Sequence, residues 1–202
     1  MRITPIFVLD DDCIESADGI HSFVFDKEYS KSKIDEFTRL YTLWSKTDYV
    51  ISYLTKNIEY LKSPFFSGRS IDDLRKQISN EVNELYDSIY SYPEDGSVNL
   101  QMIFKPLSES DNYKSRNIPV LQLTKGLVER HITKIPLVRL YAIRISENCF
   151  IITGGAIKLT KKMFDHPDTK LEFEKLESCK NFLRKNGIEI DDDLIYYYEQ
   201  EC

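Results

Sequence analysis

Apolar positions recur along this chain with two different periods, and the change of period marks its elements. Ile3–Leu9 and Ile20–Phe25 are short runs of strand type separated by the acidic DDDCIESADG, and they read as an N-terminal hairpin or as two separate strands. From Ser32 the spacing lengthens to three and four residues through Ile34, Phe37, Leu40, Tyr41 and Trp44. It continues through Val50, Leu54, Ile58 and Leu61. One long helix or two abutting ones are predicted as far as Lys62, stopped by Pro64 and Gly68. A second helix begins at Ser70, with Asp72 and Asp73 in its first turn and one apolar stripe of Ile71, Leu74, Ile78, Val82, Leu85 and Ile89. Tyr92-Pro93-Glu94-Asp95-Gly96 is a turn.

Beyond that turn the period becomes extended. Leu100–Phe104 reads as a strand ending at Lys105-Pro106, Ser108–Asn117 as a polar exposed loop, and Pro119–Leu123 as another short strand. Leu123–Leu137 fits a helical turn or a strand. The strongest pattern is LVRLYAIRISENCFIITGGAIKLTKK, residues 137–162, which predicts a hairpin with Glu147-Asn148 at its tip. In its first strand Leu137, Arg139, Tyr141, Ile143 and Ile145 point one way, and Val138, Leu140, Ala142, Arg144 and Ser146 the other. Gly154-Gly155 inside the second strand requires close backbone approach or a bend. His166 reads as an exposed loop residue. Asp168 or Thr169 then caps a helix, Thr169 in capping-box relation to Glu172, with Leu171, Leu176, Cys179 and Leu183 along it and Gly187 closing it. Leu194–Tyr198, LIYYY, reads as a last strand.

These elements make one α+β domain over 1–202: a small, mostly antiparallel sheet flanked by helices. Residues 1–96 supply the N-terminal strands and the helix pair, and 97–202 the basic hairpin core and C-terminal helix. With 42% hydrophobic and 30% charged residues the composition is that of a globular protein rather than a disordered or membrane-spanning one. The N-terminus turns acidic too soon for a secretory signal, and Cys13, Cys149, Cys179 and Cys202 have no paired spacing. Both point to a reducing cytoplasm, with no metal centre and no cofactor expected.

Charge changes the picture more than composition does. The net charge of −6 divides into −7 over residues 1–96, +7 over 97–164 and −6 over 165–202. A concentrated basic segment binds phosphate locally even when the whole chain is acidic, because screening limits charges to a range of about 8 Å. RNA carries its own nucleophile, the 2′-hydroxyl. A protein that cleaves it needs a base, cations for the crowded phosphate and an acid for the departing oxygen.

Three stretches carry a family resemblance: Leu100–Leu107 (LQMIFKPL), Leu140–Arg144 (LYAIR) and Gly155–Lys162 (GAIKLTKK). They resemble the RelE/ParE superfamily of bacterial toxins, in particular its HigB-like branch. In that family a tyrosine- or arginine-bearing strand precedes a strand ending in Gly-hydrophobic-x-Lys-Lys-Thr-x-Lys and then a helix. Here Gly155, Lys158 and Thr160 match, Leu159 replaces a lysine, and Lys161 or Lys162 supplies the later cation. The resemblance implies a RelE-like fold with an N-terminal extension and helical additions. It also implies a toxin-type endoribonuclease that cleaves mRNA, on the ribosome or off it, and is neutralised by an antitoxin protein. On this reading Arg144 and Lys158 stabilise the phosphate, Tyr141 and His131 transfer protons, and Arg139, Lys161 and Lys162 contact the RNA backbone. A non-catalytic binding module for a protein or nucleic acid, and a ParE-like inhibitor of DNA gyrase, stand as alternatives.

Overall fold

A computed structural model of the protein describes residues 1–6, 17–26, 33–91, 100–107, 121–127 and 135–201. Six strands form one mixed sheet: β1 (Arg2–Pro5), β2 (Gly19–Val24), β3 (Phe104–Pro106), β4 (Gln122–Gly126), β5 (Val138–Arg144) and β6 (Cys149–Ile157), in the spatial order β1-β2-β6-β5-β4-β3. All neighbours are antiparallel except β2 and β6, which run parallel. β1 and β2 pair as a hairpin, and Pro106 is tolerated because β3 is the edge strand among the described residues, with no outer neighbour there to receive its missing N–H.

Helices cover both faces, so the molecule has three layers. On one face lie α1 (Glu36–Trp44), α2 (Thr47–Lys56) and α4 (Ile71–Tyr90), joined by the single turn α3 (Ile58–Leu61). Leu40, Trp44, Leu54, Leu74, Ile78, Val82 and Leu85 from these helices bury Val138, Leu140, Ala142, Phe150 and Ile152. On the other face α6 (Pro167–Lys185) and α7 (Asp191–Glu201) bring Leu176, Cys179, Leu183, Leu194 and Tyr198 against Phe23, Tyr141, Ile143, Cys149 and Ile151. Every residue of β5 and β6 is buried, which is why both strands are apolar on both of their faces.

Several local expectations are corrected. The region expected to be one long helix or two abutting ones is three, α1, α2 and α3, broken at Ser45-Lys46 and at Asn57, whose side-chain amide donates to the Tyr53 carbonyl (2.9 Å). α1 is capped by Asp35. Leu100–Ile103 is one helical turn, α5, with only Phe104–Pro106 extended, because Leu100 and Ile103 bury one face at three-residue spacing. LIYYY is helical: three aspartates occupy the first turn of α7, the Asp193 carboxylate accepts from the N–H groups of Glu189 (2.9 Å) and Ile190 (3.0 Å), and Leu194 and Tyr198, four apart, face the core. His166, expected in an exposed loop, is 1% exposed and caps α6 in place of Asp168 or Thr169, with Pro167 at the first helical position. Its Nδ1 accepts from Asp168 N–H (3.2 Å) and its Nε2–H donates to Asn57 Oδ1 (3.1 Å), the pattern of a neutral ring. The start of α4 after Ser70 and the closing of α6 by Gly187 (left-handed, φ 69°) are as the sequence predicts, and Ser70 with Asp73 adds a capping box.

The glycine pair meets the close approach expected of it. A Cβ on Gly154 would sit on the Glu172 carboxylate, and one on Gly155 would lie 2.6 Å from the Arg139 carbonyl and 2.7 Å from the Trp44 ring. Tyr141 pairs with Gly154 and Ala142 with Ile152, so Thr153 is an extra residue, a β-bulge in the centre of β6. Among the described residues no helix is long and apolar enough to cross a membrane.

Candidate functional site

Helix α6 crosses β6 and reaches β5 but leaves the sheet open toward β4 and β3. In that opening lies a cavity of about 420 Å³, within the range of small-molecule sites. Its walls carry Lys125 of β4, Arg139 and Tyr141 of β5, Lys158 just past β6, and Phe173 and Lys180 of α6, with Met163 and Phe164 from the 3₁₀ turn Met163–Asp165. Four cations converge there, and among the described residues no carboxylate lines the cavity.

Each cation is placed by a specific local cause. Lys125 stands directly opposite Tyr141 in the β4–β5 ladder. Arg139 alternates onto the same face as Tyr141, and its guanidinium donates to the Val138 carbonyl (2.9 Å). The start of β5 is fixed by Glu81 of α4, whose carboxylate accepts from the N–H groups of Leu137 (2.7 Å) and Val138 (2.8 Å). Lys158 reaches the cavity because of the bulge. Strict alternation from Ile151 would send Lys158 to the α1–α4 face, whereas the extra Thr153 shifts Gly154, Ala156 and Lys158 onto the face of Arg139 and Tyr141. Lys180 lies seven residues beyond Phe173, two helical turns along one side of α6.

The electrostatics follow from this crowding. Burial, then repulsion from Arg139 and Lys125, holds the Lys158 ammonium below the ordinary lysine range. Burial also lowers Arg139, against the attraction of Tyr141 and Glu81. The Tyr141 phenol is pushed up to about 12, chiefly by burial, with Arg139 opposing, so it stays protonated at neutral pH as a hydrogen-bond donor. None of Lys125, Arg139, Lys158 and Lys180 forms an ion pair with a described carboxylate.

Of the residues expected to act together, Tyr141, Lys158 and Arg139 meet in this cavity. Arg144 does not. Three residues beyond Tyr141, it falls on the opposite face with Leu140 and Ala142, is 4% exposed, and donates from Nε to the Ser146 carbonyl (2.8 Å). Alternation along β5 requires this, so Arg139 and not Arg144 shares the cavity with Tyr141 and Lys158. Lys161 and Lys162 are exposed on the segment after β6 and do not line the cavity. His131 lies outside the described residues. Lys125, Lys180, Phe164 and Phe173 were not singled out by the sequence; the signal available for Lys125 was its place one strand from Tyr141, and for the others there was none before α6 was docked.

Comparison with protein-family models, curated proteins and solved structures finds no match to this chain.

A second charged cluster lies nearby at the part of β6 that β2 leaves unpaired. The Lys175 ammonium donates to Glu36 (2.6 Å) and Glu172 (2.8 Å), and Arg39 donates twice to Glu36 (2.7 and 2.8 Å). Burial pushes the Glu172 carboxyl up to about 7, with Lys175 opposing. Two acids against two bases make this cluster close to balanced.

Proposed function

We propose that the cavity binds the phosphodiester of RNA and that the protein is a toxin-type endoribonuclease of RelE-like kind, restrained by an antitoxin protein. The observation that carries the reading is the convergence of four cations around one cavity with no acid among its described lining residues. Like charges at such a site raise one another's energy, and an anion in the cavity relieves that repulsion while gaining charge-assisted hydrogen bonds. The order of elements supports the same reading: hairpin β5–β6 followed by α6 is the order that the resemblance of 140–144 and 155–162 implies.

The chemistry assigns each group one task. Arg139, with Lys125 and Lys180, neutralises the charge that builds on the non-bridging phosphate oxygens. Lys158, its pKa held down, takes the proton of the 2′-hydroxyl as that oxygen bonds to phosphorus. The P–O5′ bond breaks as the Tyr141 phenol passes its proton to the departing 5′-oxygen. The products are a 2′,3′-cyclic phosphate and a 5′-hydroxyl. Lys158 and Tyr141 are the catalytic residues of this scheme, with Arg139 replacing Arg144.

The test is incubation of purified protein with a labelled single-stranded RNA and identification of the ends produced. Cleavage to cyclic-phosphate ends, abolished in Lys158→Ala and Arg139→Met but retained in a folded cavity-distant variant such as Lys76→Ala, supports the nuclease. RNA binding of the same salt dependence without products reduces the role to a binding module. Neither binding nor cleavage overturns the proposal, as does cleavage that survives both substitutions.

A further inference from the structure

Phe164 is 61% exposed, whereas the phenyl rings of Phe23, Phe66, Phe104 and Phe150 are all but fully buried. The ring sits in the 3₁₀ turn immediately before α6 and meets Phe173 edge-on, with centroids 5.1 Å apart and planes at 70°. In that geometry the edge of one ring rests against the other, leaving a ring face uncovered by its partner. Both rings line the cavity that holds Lys125, Arg139 and Lys158.

An exposed aromatic face beside a pocket lined by several cations is the pairing that single-stranded nucleic acids require. Cations hold the backbone, and an unpaired base covers the ring. Protein-only explanations account for less. A ring kept out for packing would be buried, and a ring on a docking face for another protein would not need the four cations beside it. A duplex offers no free base face, because its bases are already stacked on one another.

We propose that Phe164, braced by Phe173, is a base-stacking platform, and that the cavity therefore takes single-stranded RNA, with a phosphate among Lys125, Arg139 and Lys158 and a neighbouring base laid on the Phe164 ring. The inference rests on the reading of the cavity as an RNA phosphate site. It adds the strandedness of the substrate and a positioning residue that contributes affinity through the base rather than the backbone.

The experiment is a binding titration by fluorescence anisotropy with three labelled probes: a 2′-O-methyl oligoadenylate that cannot be cleaved, an abasic oligomer of the same backbone and length, and a duplex of the oligoadenylate with its complement. For the native protein the single strand binds tightest and the abasic oligomer about tenfold more weakly, the scale of one aromatic–base stack. Phe164→Ala brings the single strand down to the abasic level and leaves the abasic affinity unchanged, whereas Phe164→Trp keeps the difference. Should Phe164→Ala bind the single strand as tightly as the native protein while Lys158→Ala and Arg139→Met lose it, the stacking assignment is overturned and the phosphate site stands. Should the abasic oligomer or the duplex match the single strand in native protein, strandedness is not read and the inference fails. If Lys158→Ala and Arg139→Met bind all three probes as native protein does, the RNA site itself fails.

Discussion

Helix α6 carries two sets of charged groups on neighbouring sides, and they are composed differently. Glu172 and Lys175 turn toward Glu36 and Arg39, where each ammonium or guanidinium meets a carboxylate within 2.8 Å. Lys180 turns instead toward Lys125, Arg139 and Lys158, where no carboxylate stands among the described lining residues. Desolvating a charge is costly in either place, and only the first set offsets that cost internally. A balanced buried cluster is complete as folded and ties α1 to α6 across the part of β6 that β2 leaves unpaired. An unbalanced one is incomplete until an anion arrives, which is the property expected of a binding site.

The sharpest way to break this contrast is to remove one charge from each cluster. Lys175→Ala leaves Glu36 and Glu172 buried with less compensation, and is expected to cost about 3–5 kcal/mol of stability in urea unfolding. The next largest effect is expected at the glycine pair between the clusters. Gly155→Ala brings a methyl group against the Arg139 carbonyl at 2.6 Å and the Trp44 ring at 2.7 Å. Overpacking of this kind costs roughly 1–3 kcal/mol, and because Arg139 belongs to the cavity the proposed RNA binding is expected to weaken with it.

In the unbalanced cluster the opposite result is expected. Lys158→Ala relieves repulsion, so unfolding free energy stays within about 0.5 kcal/mol of native, the ordinary range for a partly exposed substitution. Binding of anions disappears. Inorganic polyphosphate at 100 times its dissociation constant stabilises native protein by about 2.7 kcal/mol, seen as a rise in melting temperature, and leaves Lys158→Ala unmoved. A variant at Lys158 that loses as much stability as Lys175→Ala would erase the distinction between the two clusters.

The smallest effect is in the pH dependence. Glu172 titrates near 7 in the folded protein, above the 4.5 of a free glutamate. A raised carboxyl means that the folded state binds more protons than the unfolded state between those two values, so this group's contribution to stability is present at low pH and is lost as pH rises from about 4.5 toward 7. His166 and His21 act in the reverse sense, since burial lowers both and their contribution is lost as pH falls below about 6.5. Glu172→Gln removes only the first dependence. Its melting temperature relative to native protein is therefore expected to climb by a few degrees as pH is raised across 4.5–7 and to level off above.

The hairpin 137–162 and the stripe of α4 were legible because each is written in adjacent residues with one period, and β5 and β6 were buried on both faces as their unbroken apolar runs implied. The same alternation already set Arg139 and Tyr141 on one side and Arg144 on the other, which is where the structure leaves them. LIYYY misled because aromatic and β-branched residues favour strands only where a sheet is there to receive them, and here three aspartates start a helix instead. The breaks of the first helical region at Ser45 and Asn57 left no mark on the apolar spacing, which runs on through both.

What the sequence determined alone was the inventory and the local periods: a basic middle between acidic flanks, two apolar strands joined by a tight connection, and two glycines demanding close approach. What only the tertiary structure decided was which charges share a space. One extra residue at Thr153 reverses the facing of everything after it in β6, and this brings Lys158 to Arg139. The docking of α6 then adds Lys180, Phe173 and the turn bearing Phe164. Strand alternation has a period of two, so a single inserted residue is enough to move a side chain through the sheet, and its position is chosen by packing on both faces at once.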